Sequence, residues 1–401
     1  MKTADPELMR AINRYHVIDV IRRYGPISRV EITERTELSP ATVSAITGGL
    51  IEDGIVNIRH VSVEGLARGR PRVMLELNGE AYHVAGVKLS LHRISIAVTD
   101  FKGSVLHSLI IPVRISRQSP EVIADLVEDG VRQCVSDSGL DMSGISGVGV
   151  GIPGIIDGTR GISYWSPVLG PDEVPFGRYI SERIGKPALI ENDANLVAVA
   201  ENWFGHARDR STFAVVTVEN SIGMGLFIDG KLYRGAHGIG AEFGHVKIEP
   251  EGPRCQCGQS GCLDAYASDT GIVALARASG LVRTDDERPV HQIITDLARR
   301  AAGDDGLAAL FRRAGQMLGL GLANVVNVLN PPLIIVSGEG LRAGGLITDA
   351  LLASLDRHVL PTLREATEVI FHPWGDEMWA RGAASLVLCQ IYEAPWNSHA
   401  T

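Results

Sequence analysis

Four residues able to give a metal a soft ligand fall close together in this chain: His245, Cys255, Cys257 and Cys262, all within the segment GHVKIEPEGPRCQCGQSGCLDAY at residues 244–266. Three thiolates and one imidazole fill the four tetrahedral positions of a structural Zn²⁺, which leaves no open position for catalysis. Gly258 and Gly261 free the loop to fold back on itself and bring the ligands together. The alternative is three buried thiols beside an unrelated core histidine, but Cys-x-Cys-Gly-x-x-Gly-Cys is dense for a chain with five cysteines in all. The other two, Cys134 and Cys389, read as small buried hydrophobes in a reducing compartment.

A second polar set lies where strand-like runs give way to helix. Glu191-Asn-Asp-Ala-Asn195 closes the run 187–190 and opens a helix toward Trp203. An amide beside a carboxylate, Asn192 and Asp193, can grip neighbouring sugar hydroxyls through paired hydrogen bonds. Both residue types also favour a helix N-cap, and the local pattern leaves the two readings open. Gly151-Ile-Pro-Gly154, followed by Asp157, stands just after a buried-type strand, where ligands of α/β sheets meet the carboxyl ends of strands.

The elements that must position these groups are bounded by the whole chain. Its 401 residues suggest two or three domains, and 45% hydrophobic with 21% charged residues suits a globular class with substantial cores. No run has the apolar length of a membrane span, and the start MKTADPELMR lacks the apolar centre of a secretory signal, so a cytoplasmic protein with no membrane partner is expected. The formal net charge is −9, yet the first eighty residues hold eleven Lys/Arg and eleven Asp/Glu. Nucleic-acid binding would therefore depend on where individual arginines stand and not on bulk charge.

In those eighty residues Leu8, Ile12, Tyr15, Ile18 and Ile21 recur at steps of three and four, an amphipathic helix that Gly25-Pro26 ends. Ser28 and Glu31 form a Ser-x-x-Glu capping box for a second helix running to about Thr36. Ser39 is a good N-cap for a third, with Pro40 at its first position. Its residues Val43, Ile46 and Leu50 point inward, which leaves Thr42, Ser44, Ala45 and Thr47 on the open side. Two strand-like runs, 55–61 and 73–77, complete the pattern of a winged helix-turn-helix with its recognition helix in a DNA major groove. Between the runs, Arg68, Arg70 and Arg72 alternate in an extended Gly-Arg-Pro stretch that resembles an AT-hook, whose arginine enters a narrow A·T minor groove.

From residue 81 strand-like runs at 85–89, 94–100, 105–113 and 145–151 alternate with helical stretches such as 120–137, and a second set begins near Ser211, an α/β pattern. The metal-ligand segment, with Ala241-Glu242-Phe243-Gly244-His245 ahead of it, resembles the ROK family (repressors, open reading frames and sugar kinases). The resemblance implies two lobes of the ribonuclease-H-like, actin-like ATPase fold with a cleft between them. It divides the chain into a DNA-binding domain at 1–80, a first lobe at 81–191 rejoined by a C-terminal helix at about 380–397, and a second lobe at 192–379 that carries the zinc loop and a dimerisation surface. It also implies a sugar or sugar-phosphate site made of Gly154, Asn192, Asp193, Glu242, His245 and Asp264, with Asp193 at the general-base position of the kinases. Two residues depart from the family pattern: Asp264 replaces a usual Glu, and Val168 replaces the Asn of Ser-Pro-Asn-Leu.

Family members are kinases or repressors, and the phosphate loops separate the two. A kinase resembling this chain has Asp-x-Gly-Gly-Thr after its first strand, where glycines admit phosphates and the acid helps hold Mg²⁺. Here the same place reads Lys88-Leu-Ser-Leu-His92, and the second loop reads Glu219-Asn-Ser-Ile-Gly-Met-Gly225. A Gly338-Glu-Gly340 remnant of the adenosine side survives. Loss of the loops beside an added DNA-binding unit points to a non-enzymatic, sugar-responsive repressor of carbohydrate genes, acting on a double-stranded operator as a homodimer or homotetramer. The competing expectation is an ATP-dependent sugar kinase carrying an extra DNA-binding domain.

Overall fold

The computed structural model describes residues 6–61, 72–115 and 118–392. Helix α1 (Pro6–Tyr24) precedes a two-residue strand β1 (Ile27–Ser28), helices α2 (Arg29–Thr36) and α3 (Pro40–Glu52), and the hairpin β2 (Val56–Val61) and β3 (Arg72–Leu77). The expected capping box is present: Ser28 Oγ accepts the Glu31 N–H at 3.3 Å and Glu31 Oε2 accepts the Ser28 N–H at 3.0 Å. Ser39 Oγ likewise accepts the Thr42 N–H at 3.2 Å. The strands form one antiparallel sheet ordered β1-β3-β2. Ile21, Ile27, Ile32, Val43, Leu50 and Leu75 are buried in this segment. Leu8 is exposed, so the apolar stripe of α1 is buried only toward its C-terminal half, at Val17, Ile18 and Ile21.

Thr47 corrects the sequence reading. Val43, Thr47 and Leu50 stand at i, i+4 and i+7, one face of the helix, and all three are fully buried. The Thr47 hydroxyl accepts from Arg29 Nε at 2.8 Å and is 2.8 Å from the Val43 carbonyl. Ser44 and Ala45 are exposed, as expected, and Thr42 is half-buried. Arg68 and Arg70 lie outside the described residues.

After this segment come β4 (His83–Leu89), β5 (Arg93–Thr99), β6 (Val105–Pro112), α4 (Pro120–Asp137), β7 (Ile145–Ile152), the small hairpin β8 (Ile155–Asp157) and β9 (Ile162–Trp165), α5 (Phe176–Ile184) and β10 (Ala188–Asn192). Then follow α6 (Asp193–Phe204), β11 (Phe213–Val218), β12 (Ile222–Ile228), β13 (Lys231–Leu232), α7 (Asp264–Ala267), α8 (Asp269–Ala278), α9 (Val290–Arg300), α10 (Asp305–Leu329), β14 (Leu333–Ser337), α11 (Gly345–His358), α12 (Pro361–Glu365) and β15 (Glu368–Phe371). The last helix is α13 (Asp376–Ile391). By its internal contacts the chain divides into two units, residues 1–192 with 376–401, and residues 193–375.

Each unit holds a five-stranded sheet, and the two sheets have one topology. The first is ordered β6-β5-β4-β7-β10 and the second β13-β12-β11-β14-β15. In both, the first three strands run antiparallel and the next two add in parallel beside the first. This repeated order is the duplication that the resemblance implied. In the first unit α4 buries Ile123, Val127 and Val131 in the core that contains Val87 and Val150. Helix α13 packs against the same sheet so closely that a Cβ on Gly149 would lie 1.8 Å from the Ala383 carbonyl oxygen. In the second unit, α10 and α11 pack on each other, and their Phe311, Leu322 and Leu351 join Val216 and Ile334 in one core.

Candidate functional site

Parallel pairing of β7 with β10 brings two strand ends level, with Asn192 opposite Ile152. The Asn192 side-chain amide donates to the Gly154 carbonyl at 2.9 Å. Ser166 Oγ donates to the neighbouring Pro153 carbonyl at 2.7 Å and accepts the Val168 N–H at 3.1 Å, so the loop is pinned from both sides. Gly154 has φ +124°, and a Cβ there would stand 2.2 Å from the Trp165 carbonyl oxygen, so only glycine fits. Asp157, expected to face a ligand, is instead buried: its Oδ1 accepts the Thr159 and Arg160 N–H groups, both at 3.1 Å, and builds the turn.

In the second unit Asp193 opens α6 and is half-buried, with Oδ1 accepting the Ala194 N–H at 3.0 Å. That bond is to the adjacent residue, whereas the usual N-cap contact is to a residue two or three further on. Glu242 is exposed as a whole residue, but partial desolvation of its carboxyl, and after it the charge of Asp193, hold it above the usual carboxylate range. Ionised carboxylates are acceptors only, so groups placed like these two suit a ligand that brings hydroxyl donors.

Asp264 is withdrawn from the place the resemblance gave it. It is 4% exposed, its Oδ1 accepts the Ile222 N–H at 2.8 Å, and its Oδ2 lies 4.0 Å from Cys255 Sγ. Its carboxylate is already engaged inside the protein, and burial raises its pKa.

The four expected metal ligands converge. Ligand atoms of His245, Cys255, Cys257 and Cys262 all lie within 4.8 Å of one another. Cys257 and Cys262 sulfurs are 3.7 Å apart, and His245 Nδ1 is 3.8 Å from Cys255 Sγ. Thiolates at about 2.3 Å from one tetrahedral ion would be separated by about 3.8 Å. Gly258 and Gly261 both adopt positive φ, 87° and 73°, as a folded-back loop requires. Lys247, which the sequence reading missed, stands with its ammonium 2.8 Å from Cys262 Sγ. Three thiolates around a divalent ion would leave one negative charge, which an ammonium at this place would offset. The only signal in the sequence was a cation two places after His245.

The regions expected to have lost phosphate loops have other uses. Lys88 is 5% exposed, with its ammonium 3.4 Å from the centre of the Trp379 ring. After it the chain turns tightly, Ser90 Oγ donating to the Arg93 carbonyl at 2.9 Å. In the other motif Gly223 and Gly225 admit helix α6: a Cβ on either would come within 2.7 Å of Ala194.

Among known proteins, the model of the ROK family matches residues 84–390. A xylose repressor of Bacillus spizizenii is 28% identical over 388 residues, covering 97% of this chain and 98% of that protein. A solved ROK transcriptional regulator, homologous to the MLC protein of E. coli, superposes with a TM-score of 0.79 at 26% identity and covers 95% of this chain and 97% of its own. A ROK glucokinase from Streptomyces griseus, solved with glucose and AMPPNP, gives a TM-score of 0.65 at 27% identity, covering 76% of this chain and 98% of its own. Among the described residues no helix is long and apolar enough to cross a membrane.

Proposed function

Because this chain belongs to the ROK family, we propose that it works as one of the family's repressors: a sugar-responsive transcriptional regulator, not a sugar kinase. The observation that carries this reading is the buried Lys88 under Trp379, in the region where a kinase of this family needs a glycine loop and a magnesium-holding acid. The coverage agrees with it, since the repressor relative and the regulator structure extend over the N-terminal segment while the glucokinase matches about three quarters of the chain. Asp193, the kinase general-base position, then serves as a ligand acceptor.

On this reading residues 6–61 with β3 form a winged helix-turn-helix. Helix α3 enters a major groove with Ser44 and Ala45 outward and Ser39 and Thr42 at its start. Arg68, Arg70 and Arg72 reach the minor groove beside it. Zn²⁺ is held by His245, Cys255, Cys257 and Cys262 and supplies loop stability, because all its positions are filled by protein. Asn192, Asp193, Glu242 and His245 grip the sugar, with Gly154 giving the loop its shape. A homodimer presents two DNA-binding units to half-sites about one helical turn apart, and the sugar acts by preferring the state that does not match that spacing.

The test is operator binding by the full chain in the presence of pentoses, hexoses, amino sugars and their phosphates. One of them should change operator affinity by about tenfold, a coupling of about 1.4 kcal/mol. Asp193→Ala should bind the operator normally and lose the response. A normal response in that variant would place the sensor elsewhere.

A further inference from the structure

Arg342 gives its guanidinium to two carboxylates. Nη1 donates to Asp269 Oδ1 at 2.7 Å and Nη2 to Glu339 Oε2 at 3.3 Å. The first pair is nearly closed to solvent, at 16% and 4% side-chain exposure. Asp269 and its neighbour at the head of α8 also reach back to the β11–β12 turn: the Asp269 N–H donates to the Glu219 carbonyl at 2.9 Å, and Thr270 Oγ1 donates to the Asn220 carbonyl at 2.8 Å. Three segments far apart in the chain, residues 219–221, 269–270 and 338–343, are therefore tied at one place. Two of them belong to the glycine-containing motifs that the repressor reading does not use for a nucleotide.

We infer that Arg342 and Asp269 form a built-in clasp, an internal ion pair that keeps these loops ordered with no nucleotide bound. This inference rests on the reading that the ATP face has been lost. The charge count supports it, because Asp269 and Glu339 both pair with the one guanidinium and Glu219 lies near enough to act on Asp269, which leaves the place net negative and disfavours a triphosphate. The energetics agree as well. Burial holds Asp269 up at about 6 in spite of Arg342, so the cost of desolvating the carboxyl offsets much of what the pair returns. The tie continues past the turn, since the Ile222 N–H at its far end is the donor to Asp264 beside Cys255. The clasp is thus joined to the metal loop through one backbone hydrogen bond, the 219–222 turn and the carboxylate of Asp264.

Hydrogen exchange on the full-length, zinc-loaded protein tests the inference. Arg342→Gln and Asp269→Asn should each raise exchange about tenfold both at 338–343 and at 219–222, and the double variant should add little to either. Reversing the pair, Asp269→Arg with Arg342→Asp, should recover part of the protection. Arg342→Lys keeps the charge without the fork and should give an intermediate loss, which serves if the other variants fold poorly. Exchange that rises only in the mutated segment, or single effects that simply add, would overturn the clasp. ATP-Mg²⁺ is titrated separately into the wild type. Saturable binding there would defeat the reading on which the inference stands, whereas its absence with additive exchange effects would defeat the clasp alone.

Discussion

The ammonium of Lys88 lies 3.4 Å from the centre of the Trp379 ring, with both side chains almost closed to solvent. The ring face attracts the cation, and the contact ties the end of β4 to α13. A magnesium ion has no acid to bind at this position. ATP-Mg²⁺ should accordingly give no saturable heat in calorimetry, and a coupled assay should detect no sugar phosphate. Turnover that disappears in Asp193→Ala would reverse the choice between repressor and kinase.

The metal prediction follows from the four converging ligands. Purified protein should carry about one zinc per chain by elemental analysis. Cys257→Ser should lose the metal and at least ~3 kcal/mol of stability, which for a domain of this size lowers Tm by about 6–12 °C. A wild type that keeps its Tm after full removal of metal by a chelator would refute a structural role.

Thr47 makes a sharp case because its hydroxyl serves Arg29. Thr47→Val keeps the shape, leaves the Arg29 donor unmatched and should cost about 1–2 kcal/mol in thermal or urea unfolding. Base preference in an operator-selection experiment should not change. Changed preference in Thr47→Val, with none from substitutions at Ser44 or Ala45, would mean that Thr47 reads bases.

Asp269 predicts a pH dependence. Its folded pKa is raised to about 6 from an ordinary 3.8, first by burial, so the folded state holds the proton more tightly than the unfolded chain. The associated stability is fully present below the unfolded value and is lost as pH rises through about 6. Two pKa units correspond to at most about 3 kcal/mol. Wild-type unfolding free energy should therefore contain a component that falls between about pH 4 and 6, and Asp269→Asn should lack it. Identical profiles for the two proteins would remove Asp269 as its source.

What could be read from the sequence alone was local. Capping by Ser28, Glu31 and Ser39 depends on backbone donors a few residues away, and the structure contains each bond as expected. The metal ligands fall within one short loop, so their spacing and the two turn glycines were enough to bring them together. The strand pattern alone gave only the α/β class; the duplication was implied by the resemblance, and the two five-stranded sheets of one topology contain it.

Tertiary structure decided which polar groups remain available, because a buried donor or acceptor is satisfied by whatever packs against it, however distant in the chain. Thr47 looked like an outward polar residue until Arg29, eighteen positions earlier, was found on its hydroxyl. The carboxylates of Asp157 and Asp264 resembled ligand groups, but backbone N–H groups consume them. Arg342 and Asp269 are 73 residues apart, and no spacing rule connects them. Residue types and short-range periodicity fix what each segment can form, whereas the pairing of distant charges follows only from the order in which the strands and helices of each unit pack.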